Sequence, residues 1–276
     1  MSLNTCLAKD VQTDNLNRRF MKKLLLGMTL AAGAAMAPLY AQNDAEPEQP
    51  KWVVEFNNLP EQKREAFASG FRDASRMFEQ KRVFEALQNL QKIEDIFKDH
   101  PQLMNLMGAC YVEFRSFEEA KKHFNRALEL SPGNLSVRFN MAEIEFVRGN
   151  WAECMKQFGK IVGEMPNKDS SSAQLCHFKM YICALKTNNQ EEAKRLANLH
   201  EEFEDTPYYY VVKAVGAFEE GNDEEAQTWL RSANTVYGRH QAKSRDLTAF
   251  KDAMIESGYL QSFYGSEHNE AAEAGE

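Results

Sequence analysis

The apolar residues between positions 60 and 257 recur three or four places apart, which is the spacing of α-helices that each bury one face. Residues 60–80 follow this pattern without interruption and are predicted to form one long helix entered from Asn58. Residues 245–257, RDLTAFKDAMIES, are predicted to form a second amphipathic helix near the C-terminus. The pattern therefore indicates an all-α chain.

The sequence also shows a second, longer repeat in addition to the helical period. Counted from Pro101, small, aromatic and proline residues fall at positions 8, 11, 20, 24, 27 and 32; they are Gly108, Tyr111, Ala120, Phe124, Ala127 and Pro132. Small residues at the eighth and twentieth places let two antiparallel helices of one unit approach closely. Adding a side chain there is expected to overpack the contact and cost about 1–3 kcal/mol.

This arrangement resembles the tetratricopeptide repeat, a helix-turn-helix unit of about 34 residues. The register gives five units, which begin at Phe67, Pro101, Leu135, Gln174 and Pro207. Residues 169–173 shift the register once, before the fourth unit. The resemblance implies a right-handed solenoid of about five repeats over residues 67–240, closed by the C-terminal helix as a cap.

Helix-capping residues support the same register. The sixteenth residue of a unit should cap its second helix, with glutamate three places later. Four units fit this rule, with the pairs Ser116/Glu119, Asn150/Glu153, Asn189/Glu192 and Asn222/Glu225. Gly149 and Gly221 stand just before two of these caps, where a left-handed backbone is expected. Tyr181 occupies the small-residue place of the fourth unit, which predicts local splaying there.

The N-terminal residues have the composition of an export signal. Lys22 and Lys23 precede an apolar run and then small residues, so residues 21–41 are predicted to be a signal peptide, cut after Ala41. A retained membrane anchor is the alternative. The expected location is exported, either periplasmic or secreted.

The remaining boundaries follow from composition. Residues 1–20 are interpreted as an upstream, non-native leader, residues 42–58 as a linker, and residues 59–263 as the solenoid with its cap helix. Residues 264–276 carry four glutamates and no basic residue, which predicts a disordered acidic tail.

Charge argues against one class of partner. The chain carries a formal net charge of −8, and residues 1–41 hold five basic and two acidic side chains, so the rest has 28 basic and 39 acidic groups. An acidic chain without a run of Lys or Arg is not expected to bind nucleic acid or an anionic membrane as its main partner. No stable membrane span is expected once the signal is removed.

The sequence contains no motif typical of an enzyme. A phosphate-binding glycine loop, HExxH, GxSxG and clustered Cys/His ligands are all missing from it. We therefore predict a non-enzymatic protein with no cofactor and no metal site. Four cysteines follow the signal, namely Cys110, Cys154, Cys176 and Cys183; four buried thiols and a Cys154–Cys176 disulfide are both left open.

In tetratricopeptide repeats the first helix of each unit lines a concave groove, at its second, fifth, ninth and twelfth positions. The resemblance therefore implies a groove for a protein or peptide partner, formed by Phe71, Phe78, Asn105, Phe139, Glu143, Phe146, Phe178, Ile182, Leu185, Tyr208, Val211, Val215 and Phe218. The stripe is mostly apolar, and contiguous apolar patches mark contact sites.

Several interpretations of this stripe remain. The residues pack between neighbouring first helices, or they accept an amphipathic helix or an apolar peptide. A third alternative is self-occlusion, by residues 52–56 or by a second copy of the chain. The function predicted is an exported interaction scaffold of the cell envelope, with a structural homo-oligomer or a non-catalytic subunit of an envelope enzyme as alternatives.

Overall fold

A computed structural model describes residues 49–200, 206–238 and 241–261, with the side chains of residues 241–246 excluded. The described residues form twelve α-helices and no strand. The helices are α1 Lys51–Asn57, α2 Glu61–Glu79, α3 Val83–Glu94, α4 Pro101–Glu113, α5 Phe117–Leu130, α6 Leu135–Val147, α7 Trp151–Glu164, α8 Ser171–Lys186, α9 Gln190–Ala197, α10 Tyr208–Glu219, α11 Asp223–Tyr237 and α12 Gln241–Glu256.

Helices α2 to α11 pack as five successive pairs, beginning with α2 and α3. The second helix of each pair also contacts the first helix of the next pair, so the pairs stack in chain order. This is the arrangement of a helical-repeat solenoid, and the predicted fold class is confirmed.

The fifteenth residue of every unit has the same unusual backbone. Lys81, Arg115, Gly149, Asn188 and Gly221 have φ values of 63°, 60°, 73°, 56° and 75°. A left-handed residue ends the first helix and turns the chain into the second, and glycine adopts it with the least strain. Five equivalent residues with one backbone geometry confirm the register predicted from the sequence.

The predicted caps are confirmed for half of the pairs. The side chains of Asn189 and Asn222 accept hydrogen bonds from the backbone N–H groups of Glu192 and Glu225 at 3.2 Å. Ser116 and Asn150 begin α5 and α7 without such a bond. The Asn150 side chain donates instead to Glu145, at 2.6 Å.

The close helix approach at Gly108 involves the aromatic ring of Phe124. A Cβ added to Gly108 would lie 2.4 Å from this ring, which is fully buried in α5. The missing side chain therefore makes room for the ring. At the equivalent place in the fourth unit, the Tyr181 hydroxyl lies 3.5 Å from the Cβ position of Gly216 in α10.

Helix α1 packs on the first unit through an aromatic cluster. The ring centroid of Phe56 lies 5.2 Å from that of Phe67, 5.4 Å from Phe97 and 5.3 Å from His100, and Trp52 lies 5.0 Å from His100. This helix lies within residues 42–58, where the sequence predicted a linker. Burial of His100 lowers the pKa of its imidazole to about 4.

We expect His100 to make the protein less stable in acid. The folded state favours the neutral imidazole, whereas in the unfolded chain His has a pKa of about 6.5, so unfolding takes up a proton as the pH falls from about 6.5 towards 4. A His100→Phe variant should keep the aromatic packing. Between pH 7 and 4.5, its free energy of unfolding should fall by about 2 kcal/mol less than that of the wild type. Urea titrations at both pH values measure this difference, with His123→Phe, a half-buried histidine, as control. Equal losses in wild type and His100→Phe would contradict the expectation.

None of the helices within the described ranges is both long and apolar enough to cross a membrane. The predicted leader, signal peptide and acidic tail, at 1–20, 21–41 and 264–276, lie outside the described residues, as does the start of the predicted linker.

Candidate functional site

The predicted groove residues lie on the face formed by the first helices of the units, here called the inner face. Ten of the thirteen are buried, and only Phe71, Leu185 and Phe218 are partly exposed. An apolar groove open to solvent along its length is therefore not what the structure shows. The role of these residues in binding a partner stays a prediction.

In the middle of the array, the side chains of the first helices are covered by neighbouring helices. The Phe139 ring packs on Phe158 of α7, with centroids 5.3 Å apart. The Asn140 amide of α6 donates to the Asn105 side-chain oxygen of α4 at 2.9 Å, in a buried contact between adjacent units. These residues stabilise the stack. Such packing between helices is the first of the interpretations given above for the apolar stripe.

At the C-terminal end, a different segment covers the inner face. Helix α12 contacts α8, α10 and α11, and therefore lies across two units instead of only extending the stack. The Phe250 ring lies 5.2 Å from that of Phe178 in α8 and 6.3 Å from that of Tyr208 in α10. Both contacted residues are predicted groove residues.

The chain continues along the same face after α12. The Tyr259 ring lies 6.2 Å from that of Phe218, a third groove residue. The Lys186 ammonium lies 4.1 Å from the Tyr259 ring centroid, and the Tyr259 hydroxyl donates to Glu219 at 2.5 Å. We call residues 247–260 the C-terminal cover, because they close the inner face of the fourth and fifth units.

A buried lysine joins this cover to the solenoid. The Lys179 side chain on α8 is fully buried, and its ammonium lies 3.0 Å from a Glu143 carboxylate oxygen on α6 and 3.2 Å from one of Glu256 on α12. The same ammonium lies 4.0 Å from the centroid of the Phe146 ring. One cation therefore holds three helices together.

The two carboxylates keep this lysine charged. Burial alone would lower the pKa of Lys179, but the charges and hydrogen bonds of Glu143 and Glu256 outweigh it and raise the pKa above its ordinary value. Lys179, Glu143 and Glu256 together carry a net charge of −1. Lys179 and Glu143 without Glu256 carry no net charge.

Self-occlusion of the inner face therefore occurs, but by the C-terminal cover. The N-terminal segment, which the sequence analysis considered for this role, packs instead on Phe67, Phe97 and His100. Glu143 was among the predicted groove residues, whereas Lys179, Phe250 and Glu256 were not. A signal for Lys179 exists in the sequence, since it is a single charge within the apolar run LCHFKMYICAL.

The four cysteines within the described ranges take no part in a disulfide. Cys110, Cys154, Cys176 and Cys183 are buried and free. Burial, followed by a hydrogen bond with Cys183, raises the pKa of the Cys154 thiol, which makes it a poor nucleophile. Across the described ranges, no group of three or more His, Cys, Asp or Glu side chains is placed to hold a metal ion.

The comparisons with known proteins agree with this architecture. The family model described as tetratricopeptide repeat matches residues 113–176. The chain is similar to a tetratricopeptide repeat protein from Parabacteroides merdae, with 16% identity over 72% of this chain and 75% of the other, at a TM-score of 0.51. No curated protein matches the sequence.

Two further solved structures show lower similarity. One is pilF of Pseudomonas aeruginosa, at 10% identity and a TM-score of 0.48 over 78% of this chain and all (100%) of the other. The second is YrrB, called a TPR protein with an unusual peptide-binding site, at 16% identity and a TM-score of 0.43 over 73% of this chain and 98% of the other. Residues 113–176 thus match the family that the sequence resembles, and tetratricopeptide repeat arrays are in general scaffolds for protein–protein interaction.

Proposed function

We propose that this protein is an exported, non-enzymatic scaffold of the cell envelope, and that it binds a partner protein through the inner face of its fourth and fifth units. One observation carries the proposal. The inner face already holds a helix, α12, through two aromatic contacts and a buried ion pair. A surface with this shape and charge is suited to helix-in-groove recognition.

The proposed location rests on the sequence. Residues 21–41 have the basic start, apolar run and small residues of a secretory signal. N-terminal sequencing of the mature protein from fractionated cells tests it, and we expect the chain to begin at Gln42 outside the cytoplasm. A chain retaining residues 21–41 in the cytosolic fraction would overturn this part of the proposal.

Site-specific photo-crosslinking tests the binding surface. A photoreactive phenylalanine analogue at position 218 stands on the inner face, where the native side chain is partly exposed. The matched control is the same analogue at position 84, where the native phenylalanine is 63% exposed and begins α3. We expect a specific adduct from position 218 and none of that mass from position 84. Identical adducts from both positions, or no adduct from position 218, would reject the inner face as the surface that binds the partner.

A further inference from the structure

The buried ion pair remains balanced when α12 is removed. Glu256 is contributed by α12, but Glu143 belongs to α6 and lies closer to the Lys179 ammonium, at 3.0 Å compared with 3.2 Å. The contact of this ammonium with the Phe146 ring also lies within the solenoid. Departure of α12 therefore leaves a neutral ion pair and not an uncompensated buried charge, which would be strongly unfavourable.

The contact surface of α12 defines what else can bind there. Its buried side chains lie on one side of the helix and are Leu247, Ala249, Phe250, Ala253 and Met254. Glu256 follows Phe250 by six residues, about 9 Å along the axis, and lies at the edge of this apolar side next to the alanines. The receiving surface thus recognises an aromatic ring, a flat small-residue surface and a carboxylate in a fixed order.

The connection to α12 is short. Helix α11 ends at Tyr237 and α12 begins at Gln241, so residues 238–240 tether the cover directly to the last repeat. Because only three residues connect the two helices, α12 has a high effective concentration at its site. A partner must therefore offer the same chemistry as α12, or better, in order to replace it.

We propose, on the basis of the function proposed above, that α12 is an internal substitute for the partner. The partner is a protein with an amphipathic helix that carries an aromatic residue and, six positions later, a carboxylate, and this helix displaces α12 from Phe178, Tyr208 and Lys179. The protein is then closed when alone and opens only for a helix of this kind. The displaced α12 becomes available to solvent or to a second partner.

A competition experiment on the full chain tests this exchange. The probe is a fluorescently labelled synthetic peptide with the sequence of residues 241–261, added to wild-type protein and to a full-length Phe250→Ala variant. Weakening the internal helix should raise the affinity for the peptide, and we expect at least tenfold tighter binding by Phe250→Ala in fluorescence anisotropy. A Thr248→Ala variant, changed at an exposed position of α12, should bind like the wild type.

Changes in the peptide test the order of recognition. A peptide with Glu256→Gln should bind the Phe250→Ala protein about tenfold more weakly, because it lacks the charged hydrogen bond to Lys179. A peptide with Thr248→Ala is its matched control. Equal binding of the Glu256→Gln and unmodified peptides would overturn the role given to the carboxylate.

Hydrogen exchange of the wild-type protein decides the proposal even if Phe250→Ala fails to fold. Amides of residues 247–256 should exchange by a local opening in which the amides of α8 and α10 remain protected. Equal protection of all three helices would show that α12 leaves only on global unfolding, and would overturn the proposal. Dimerisation of Phe250→Ala in sedimentation would also overturn it, since a second copy would then be the occupant.

The failures of the two proposals can be told apart. If the peptide binds and α12 opens but position 218 yields no crosslinked partner, the proposed function fails and the exchange of helices at this site stands. If a partner crosslinks at position 218 while α12 neither opens nor competes with the peptide, the inference fails and the proposed function stands.

Discussion

Replacing Lys179 by methionine is expected to destabilise the protein by about 3–5 kcal/mol at pH 7. Methionine has a similar length and can fill the space, but Glu143 and Glu256 then lose a fully buried cation that lies within 3.2 Å of each. The cost comes mainly from the Glu143 carboxylate, which is only 3% exposed. Urea unfolding followed by circular dichroism measures the change.

The matched control is an exposed lysine with an even shorter ion pair. Lys122 lies 2.6 Å from Glu119 with its side chain 70% exposed, and Lys122→Met should leave the free energy of unfolding almost unchanged. The double variant Lys179→Met/Glu143→Gln should recover much of the loss, because no buried carboxylate from α6 then faces position 179. If the double variant is as unstable as Lys179→Met, the buried charge is not the cause.

Acid should also reduce the effect of Lys179→Met. In Lys179→Met the buried Glu143 carboxylate has lost its cation, and protonation removes this charge, so the variant should approach the wild type as the pH falls from 7 to about 4. The thiol of Cys154, near the same site, stays neutral in this range because burial raises its pKa. A loss of stability that is constant from pH 7 to 4 would contradict this explanation.

The repeat units could be predicted from the sequence because their causes are local. Close approach of two adjacent helices requires small residues at fixed spacing, and the turn between them requires a left-handed residue at one position. Gly149 and Gly221 have the backbone geometry that the sequence predicted, and Lys81 and Arg115 adopt it without being glycine. Each of these features depends on residues fewer than about 34 places apart.

The cover of the inner face could not be predicted in the same way. The sequence predicts an amphipathic helix at residues 245–257. It indicates that one side of this helix is buried, but it does not indicate which helices that side contacts. Its position depends on Phe250 reaching Phe178 and on Glu256 reaching Lys179, residues 72 and 77 places away. Such contacts join residues about two repeat lengths apart in the sequence, and a repeat register does not specify them.

The predicted set of groove residues did not include the C-terminal cover, and its role in binding a partner stays a prediction. Phe178 and Tyr208, which would line an open groove, are covered by Phe250 of α12. Glu143 was the one charged residue in the predicted set, and a buried carboxylate requires a partner. The single lysine in the apolar run of α8, one unit further along, supplies it.

The second large effect is expected for Phe124→Ala, which should destabilise the protein by about 3–5 kcal/mol. The Phe124 ring is fully buried and lies against the backbone of α4, where Gly108 has no side chain that could fill the resulting cavity. Phe84→Ala is the control, since that ring is 63% exposed and its loss should cost less than about 0.5 kcal/mol. Urea unfolding of both variants measures the two values.

A double-mutant cycle shows whether Gly108 and Phe124 fit each other. Gly108→Ala should cost about 1–3 kcal/mol in the wild type, because its Cβ would lie 2.4 Å from the ring. In a Phe124→Leu background the smaller side chain leaves space for this methyl group, so the cost of Gly108→Ala should fall by at least half. If the free-energy cost of Gly108→Ala is the same in both backgrounds, the two residues are independent. The close approach of α4 and α5 would then need another cause.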